Sequence, residues 1–401
     1  MKESIVIKSQ KNTIRLLLYV MLLFPILGEN VISTLFGDSI SKLLSVISCG
    51  IILLFLFNSR IHLNMFLIDM FLLILCRVFV FVSSNADISV ANNMITPYGL
   101  IAYFMLFLFI DKFIYDREQL IVVFKSMVII MTISVFMNFF FTADLHIADN
   151  IAVFKEAVST GYTNSRHWLF GHRNMIFIHH LMWMVFSYIS YMLENRNYAK
   201  MFLFQIAFTM LVGIVSWNST MMVTTLAVFS LGIFRKSFFE KISILHYTLI
   251  YVILEIGIVF FRIQDVFSYL IVNILHRNLS FTGRTRIWDY YIDQFTNGSI
   301  FHKLFGNFGI TEWTTNSHNM FLGILSFTGI IGVFLYFFLL FLSVKNLHRE
   351  RDTDSAKFIS IIIFGFLINA LSMEFYLQPM IAIYIGYRIK AINQLVSQGE
   401  S

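Results

Sequence analysis

The sequence predicts an all-α integral membrane protein of about twelve transmembrane helices, with cytoplasmic termini and two long outer loops, one carrying a short interfacial helix. Three observations lead there. Hydrophobic residues make up 58% of the 401 and charged residues only 13%, against about 25% charged in soluble domains, so lipid is the solvent for most of the chain. Apolar runs close to the ~20 residues needed to span a bilayer recur along it, and open strands cannot face lipid, which leaves a helical bundle. Lysine and arginine alternate between connecting segments in the manner that sets orientation.

The runs fall at 14–34, 40–57, 63–82, 98–115, 120–142, 174–193, 200–216, 220–234, 242–261, 319–343, 357–373 and 376–391. Merging the two closely spaced pairs, at Ser216 to Thr220 and near Glu374, would give ten spans. Lys2, Lys8, Lys11 and Arg15 precede the first run as in a signal peptide, but further spans follow, so it is read as a retained span. With the N-terminus inside, 18 of the 29 Lys and Arg residues lie on the inner side. The short outer loops 83–97, 216–220 and 373–376 hold none. Exceptions in the connections sit in the long loops 143–173 and 262–318, and long loops translocate largely regardless of charge.

The chain therefore reads as a single polytopic domain, 1–401, with those two loops as its non-cytoplasmic modules. Its net charge of +6 is spread between spans rather than gathered on one face, which argues against a nucleic-acid partner. Cys49 and Cys76 each lie in an apolar run, so no disulfide framework is implied.

Both loops far exceed the about 2 to 8 residues that usually join helices. The second is too apolar for a solvated coil. Within it Trp288, Tyr291, Ile292 and Phe295 follow i, i+3, i+4, i+7 spacing, predicting a helix over about 284–296 that lays an aromatic stripe on the bundle or the lipid surface. Thr282 is its expected N-cap.

Thr282-Gly283-Arg284-Thr285-Arg286-Ile287-Trp288 brings two arginines to the start of that helix, and Leu304-Phe305-Gly306-Asn307-Phe308-Gly309 and Asn316-Ser317-His318-Asn319 follow. Arginine suits a pyrophosphate through directed hydrogen bonds, and a helix N-terminus attracts anions. A lipid diphosphate at the interface would fit. The plainer reading is that Arg284 and Arg286 hold lipid headgroups beneath a lid helix.

From His318-Asn319 the sequence runs nine residues to Gly329-Ile330-Ile331-Gly332. This H-N-x9-G-x-x-G pattern resembles the signature of the O-antigen ligase and Wzy-type polysaccharide polymerase superfamily, and the upstream G-R-T-x-I-W with a later glycine pair looks like that family's outer-loop module. The motifs cover about 50 residues, and the layout of spans is similar over the whole chain. Where relatives often carry an arginine after a serine, this chain reads Ser216-Trp217-Asn218-Ser219-Thr220, and Gly306 and Gly309 are more widely spaced than usual.

The resemblance implies an inverting, metal-independent glycosyltransferase without cofactor. It would polymerise undecaprenyl-diphosphate-linked repeat units of a capsule, O-antigen or exopolysaccharide on the outer face of the bacterial cytoplasmic (inner) membrane. A flippase and a chain-length regulator would be its partners beside membrane lipid. Ligase-type transfer to another acceptor is the alternative. His318 and Arg284 are the expected catalytic residues, His318 orienting the diphosphate or taking the acceptor proton. Arg286, Arg173, Arg166, His172, Asn319 and Trp288 are the expected substrate-binding residues, with a lipid anchor the favoured reading for Arg166. Gly171-His172-Arg173-Asn174 looks like the family's other outer-loop element. The histidines of the first loop fit no compact metal motif.

Asp69, Arg77, Lys125 and Glu255 fall inside apolar runs, where ionisable groups are costly. A transporter, the alternative of a different class, would set such charges beside broken helices, yet Pro25, Pro97 and Pro379 all lie away from them. A structural pair of Asp69 with Arg77 is expected instead.

Overall fold

Each of the twelve apolar runs holds helix among its described residues. The structure, a computed structural model, describes residues 2–57, 63–83, 97–140, 169–170, 175–216, 218–234, 241–267, 269, 284–306, 317–371, 373 and 377–398, and no strand occurs among them. The helices are α1 (Lys2–Leu27), α2 (Glu29–Phe36), α3 (Asp38–Phe57), α4 (Met65–Ser83), α5 (Pro97–Lys112), α6 (Arg117–Phe140), α7 (Ile176–Leu193), α8 (Ala199–Val215) and α9 (Ser219–Phe234). They continue as α10 (Ile244–Glu255), α11 (Arg284–Asn297), α12 (Ile300–Phe305), α13 (Met320–Arg349), α14 (Asp354–Ala370) and α15 (Gln378–Ser397). Among them Gln10–Leu27 of α1 and the whole of α3, α6, α7 and α13 are long and apolar enough to cross a membrane. The closely spaced pairs are separate helices, since α8 ends at Val215 before α9 begins at Ser219, and α14 ends at Ala370 before α15 begins at Gln378.

The chain forms two compact units. One comprises residues 1–63, 102–230 and 388–401. In it the run 14–34 is two helices rather than one: α1 ends at Leu27, and α2 starts after Gly28. Pro25 removes a backbone donor near that end, and Ser45 of α3 donates to the Pro25 carbonyl at 2.6 Å. Polar side chains join the helices in pairs, because a buried donor without a partner is expensive in an apolar surround. Trp183 Nε1 donates to Thr132 Oγ1 at 2.9 Å, and Gln205 Nε2 to Ser187 Oγ at 2.9 Å. Lys125, noted above as an intramembrane charge, pairs with Glu194 at 2.5 Å.

The second unit comprises residues 64–101 and 231–387 and is organised around α13. This helix is not continuous. Gly329 has φ 61° and ψ −168°, a conformation that interrupts the helical ladder. The interruption admits another backbone. Gly306, at the end of α12 with φ 83°, lies so close that a Cβ there would overlap the Phe327 and Thr328 backbone and sit 2.7 Å from Gly329 N. A Cβ on Gly329 would in turn lie 2.5 Å from Phe305 N. Phe79 of α4 packs its ring 5.2 Å from Phe305 and 6.0 Å from Phe301, fixing α12 from the other side.

Breaking a helix releases carbonyls, and Arg77 meets one of them. Its guanidinium, 1% exposed, donates to the Phe327 carbonyl, as suits a cation at a helix C-terminal end. The expected pairing of Asp69 with Arg77 is therefore corrected: Asp69, buried, leaves Oδ2 without a hydrogen bond. Eight residues of helix separate them by about 12 Å at 1.5 Å per residue, beyond ion-pair reach on one straight helix.

Gly306→Ala and Gly329→Ala should each lower the melting temperature of the detergent-solubilised protein, with the left-handed backbone alone costing about 1–2 kcal/mol. Gly50, where an added Cβ meets nothing within 4 Å, supplies the control, and Gly50→Ala should melt at or above the parent temperature. Equal melting of all three would show that the glycine contact does not hold α12 in place.

Candidate functional site

Within the second unit, the segment between α10 and α13 builds a junction out of short-range contacts. Immediately after Glu255 the helix widens into a π turn over Ile256–Phe260, a distortion found frequently at functional sites. Arg262 follows with φ 51° and turns the chain back over α11. Its guanidinium donates to Thr285 O at 3.1 Å, pairs with Asp289 and lies 5.5 Å from the centre of the Trp288 ring. The first turn of α11 is thereby pinned to the end of the π turn.

The predicted helix at about 284–296 is present as Arg284–Asn297. Its stripe packs inward: Trp288 and Tyr291 join Val259 and Leu322 in one buried cluster, with Ile287, Tyr290, Ile292 and Phe321 against it. The expected cap Thr282 lies outside the described residues. The indole N–H of Trp288 donates to the Ser317 carbonyl at 3.0 Å, which joins α11 to the start of α13.

That bond sits beside His318. The Ser317 hydroxyl donates to Asn319 O at 2.6 Å and accepts from Asn319 N at 3.2 Å, so a side chain bridges to the backbone across the histidine. Asn319 caps α13, its side chain accepting from Leu322 N at 2.9 Å and donating to Leu371 O at 3.4 Å. Between these fixed neighbours His318 has φ 52° and is half-buried. A non-glycine residue in that region costs on the order of 1–3 kcal/mol and persists only where its surroundings enforce it.

The two arginines of α11 separate. At about 100° per residue, positions two apart point roughly 200° apart around the helix. Arg284 shares the face of Trp288 and is half-buried, whereas Arg286 is exposed. Two helix N-terminal ends, at Arg284 and Met320, are thus joined through the contact between Trp288 and Ser317, with Arg284 and His318 on them. Each end carries orphan N–H groups and attracts negative charge. Trp288, 2% exposed, and Asn319, fully buried, hold this frame. Arg166, His172 and Arg173 lie outside the described residues.

Sequence reasoning passed over Arg262, counting it only as a charge in a long loop, and Glu255, read as structural. The signal for Glu255 was present, since a carboxylate inside an apolar run is costly unless used. Among the described residues no three His, Cys, Asp or Glu side chains are grouped to hold a metal ion.

Trp288→Phe should keep the apolar packing while leaving the Ser317 carbonyl without its donor, a loss of about 1–3 kcal/mol for a buried group. Thermal unfolding of the solubilised protein checks this, and an unchanged midpoint would show that the indole contact does not hold the junction. A scan against protein-family models finds no match to this chain, and no curated protein matches it in sequence.

Proposed function

We propose that the chain is a membrane glycosyltransferase that takes a glycan from undecaprenyl diphosphate at the outer face of the bacterial inner membrane and polymerises lipid-linked repeat units. The observation that carries this is the junction of Arg284, Trp288 and Ser317 with the strained His318 at the N-terminal end of α13. Such an arrangement suits an anion of high charge held at the edge of an apolar bundle: Arg284 and His318 stand at the ends of two helices that the bond between Trp288 and Ser317 joins. A twelve-span arrangement with segment 262–318 outside would set that region at the outer leaflet, where a lipid diphosphate presents its headgroup.

Transfer needs little covalent chemistry from the protein. An acceptor hydroxyl attacks the anomeric carbon as the bond to the diphosphate breaks, so catalysis rests on holding both reactants in line and stabilising the charge that grows on the leaving group. Arg284 and His318 do the second task in this reading. Arg286, on the far side of α11, steers anionic headgroups toward the site. The acceptor separates a polymerase, which lengthens a lipid-linked repeat, from a ligase, which transfers to a different molecule.

A transporter reading draws on the break in α13 beside buried Arg77. Backbone from α12 occupies that break at Gly306, leaving no space for a solute there, and the transferase reading is preferred.

In cells whose surface glycan depends on this chain, Arg284→Ala and His318→Ala should each reduce long-chain product about 10²- to 10³-fold. Membrane insertion should be normal, and single repeats should accumulate on lipid. Arg286→Ala should be milder. Unaltered ladders on a gel for the first two variants would overturn these roles, and a total loss with Asp69→Asn alone would favour transport.

A further inference from the structure

We infer that Glu255 is the base that accepts the proton of the acceptor hydroxyl, an inference that rests on the transferase reading above. Glu255 closes α10, is 5% exposed and has the Tyr251 hydroxyl and the Asn319 side chain as its polar neighbours. Tyr251 lies one turn earlier on the same helix, and both neighbours are neutral donors. Among the described residues no ion pair involves Glu255, since Arg262 turns to Asp289 and Arg77 to Phe327 O.

A buried carboxylate with only neutral neighbours and no counter-ion gains little, and such burial costs several kcal/mol in an apolar medium. Its position is not remote. Val259, one turn beyond Glu255, belongs to the cluster with Trp288 and Leu322, and Asn319 adjoins His318 directly. The carboxylate, the histidine and Arg284 therefore belong to one junction, and the π turn that begins at Ile256 leads from the first to the others.

The chemistry divides cleanly between them. The acceptor O–H gives its proton to a Glu255 oxygen while its oxygen forms the new bond to the anomeric carbon. The bond from that carbon to the diphosphate breaks with its electron pair, which stays on the diphosphate beside Arg284 and His318. The proton later leaves Glu255 for the departing diphosphate or for water. His318 is thus relieved of acting as base.

The test uses the whole chain in membranes, with Glu255→Gln, an isostere that removes the buried charge and should fold at least as stably as the parent. Two quantities are measured: transfer product against pH, and binding of undecaprenyl diphosphate as the probe. Glu255→Gln should lower transfer about 10²- to 10⁴-fold and abolish the acid limb of the pH profile, with probe binding held within roughly twofold and part of the rate restored by Glu255→Asp. Transfer at the parent rate and profile overturns the inference and leaves the transferase reading standing. Loss of probe binding together with transfer, or a lowered melting temperature, also overturns it, because Glu255 would then shape the frame. A parent chain that makes no product from a lipid-diphosphate donor overturns the transferase reading itself.

Discussion

A helix in lipid must close its own backbone hydrogen bonds, and α13 fails to do so at Gly329. The rest of the second unit follows from how that failure is met. Arg77 supplies a donor to the Phe327 carbonyl, and Gly306 brings the end of α12 into direct backbone contact with the break. Because only Gly298 and Ser299 separate α11 from α12, seating α12 there also places α11. Its Trp288 then meets Ser317 at the other end of the same stretch. Between His318 and Gly329 lie about three turns, or roughly 16 Å at 1.5 Å per residue, and that distance is what α11 and α12 together bridge. The spacing between His318 and Gly329 is therefore a length, set by the two short helices that lie along it.

Periodicity carried the parts of this arrangement that depend on neighbours in sequence. The stripe of Trp288 and Tyr291 marked a helix facing a core, and it is one, with bounds within a residue or so of expectation. The apolar runs became helices because length and composition suffice to require them. What could not be read depends on partners far along the chain. Gly329 and Gly306 stand out in sequence only as motif glycines, with no sign that one lies against the other, and nothing near Arg77 indicates a carbonyl 250 residues away. Proline was the expected breaker of a span, but here glycine broke it, since only a residue without Cβ admits another backbone at that distance.

The site shows the same division. That Arg284 and Arg286 lie in one short segment was plain from sequence, and their separation to opposite sides of α11 follows from helix geometry alone once the helix is fixed. The strain at His318 was not legible. It arises because Trp288, Ser317 and Asn319 hold the flanking backbone in place, and none of these contacts is visible in a linear motif. Trp288 and Asn319, which sequence reasoning set among the binding residues, have their polar groups committed to the frame.

This gives the junction a mechanical logic independent of any particular ligand. A backbone held at φ 52° between the bonded Ser317 and Asn319 keeps little freedom, so the direction in which the His318 side chain leaves the chain is set by its neighbours. The strain is small beside the packing that enforces it: the indole of Trp288 and the rings of α12 anchor both ends of the bridged stretch. Loosening either end would release the histidine first, because it is the one residue between them whose backbone is costly to keep. The backbone at His318 is thus tied to the break at Gly329, which lies about three turns along the same helix.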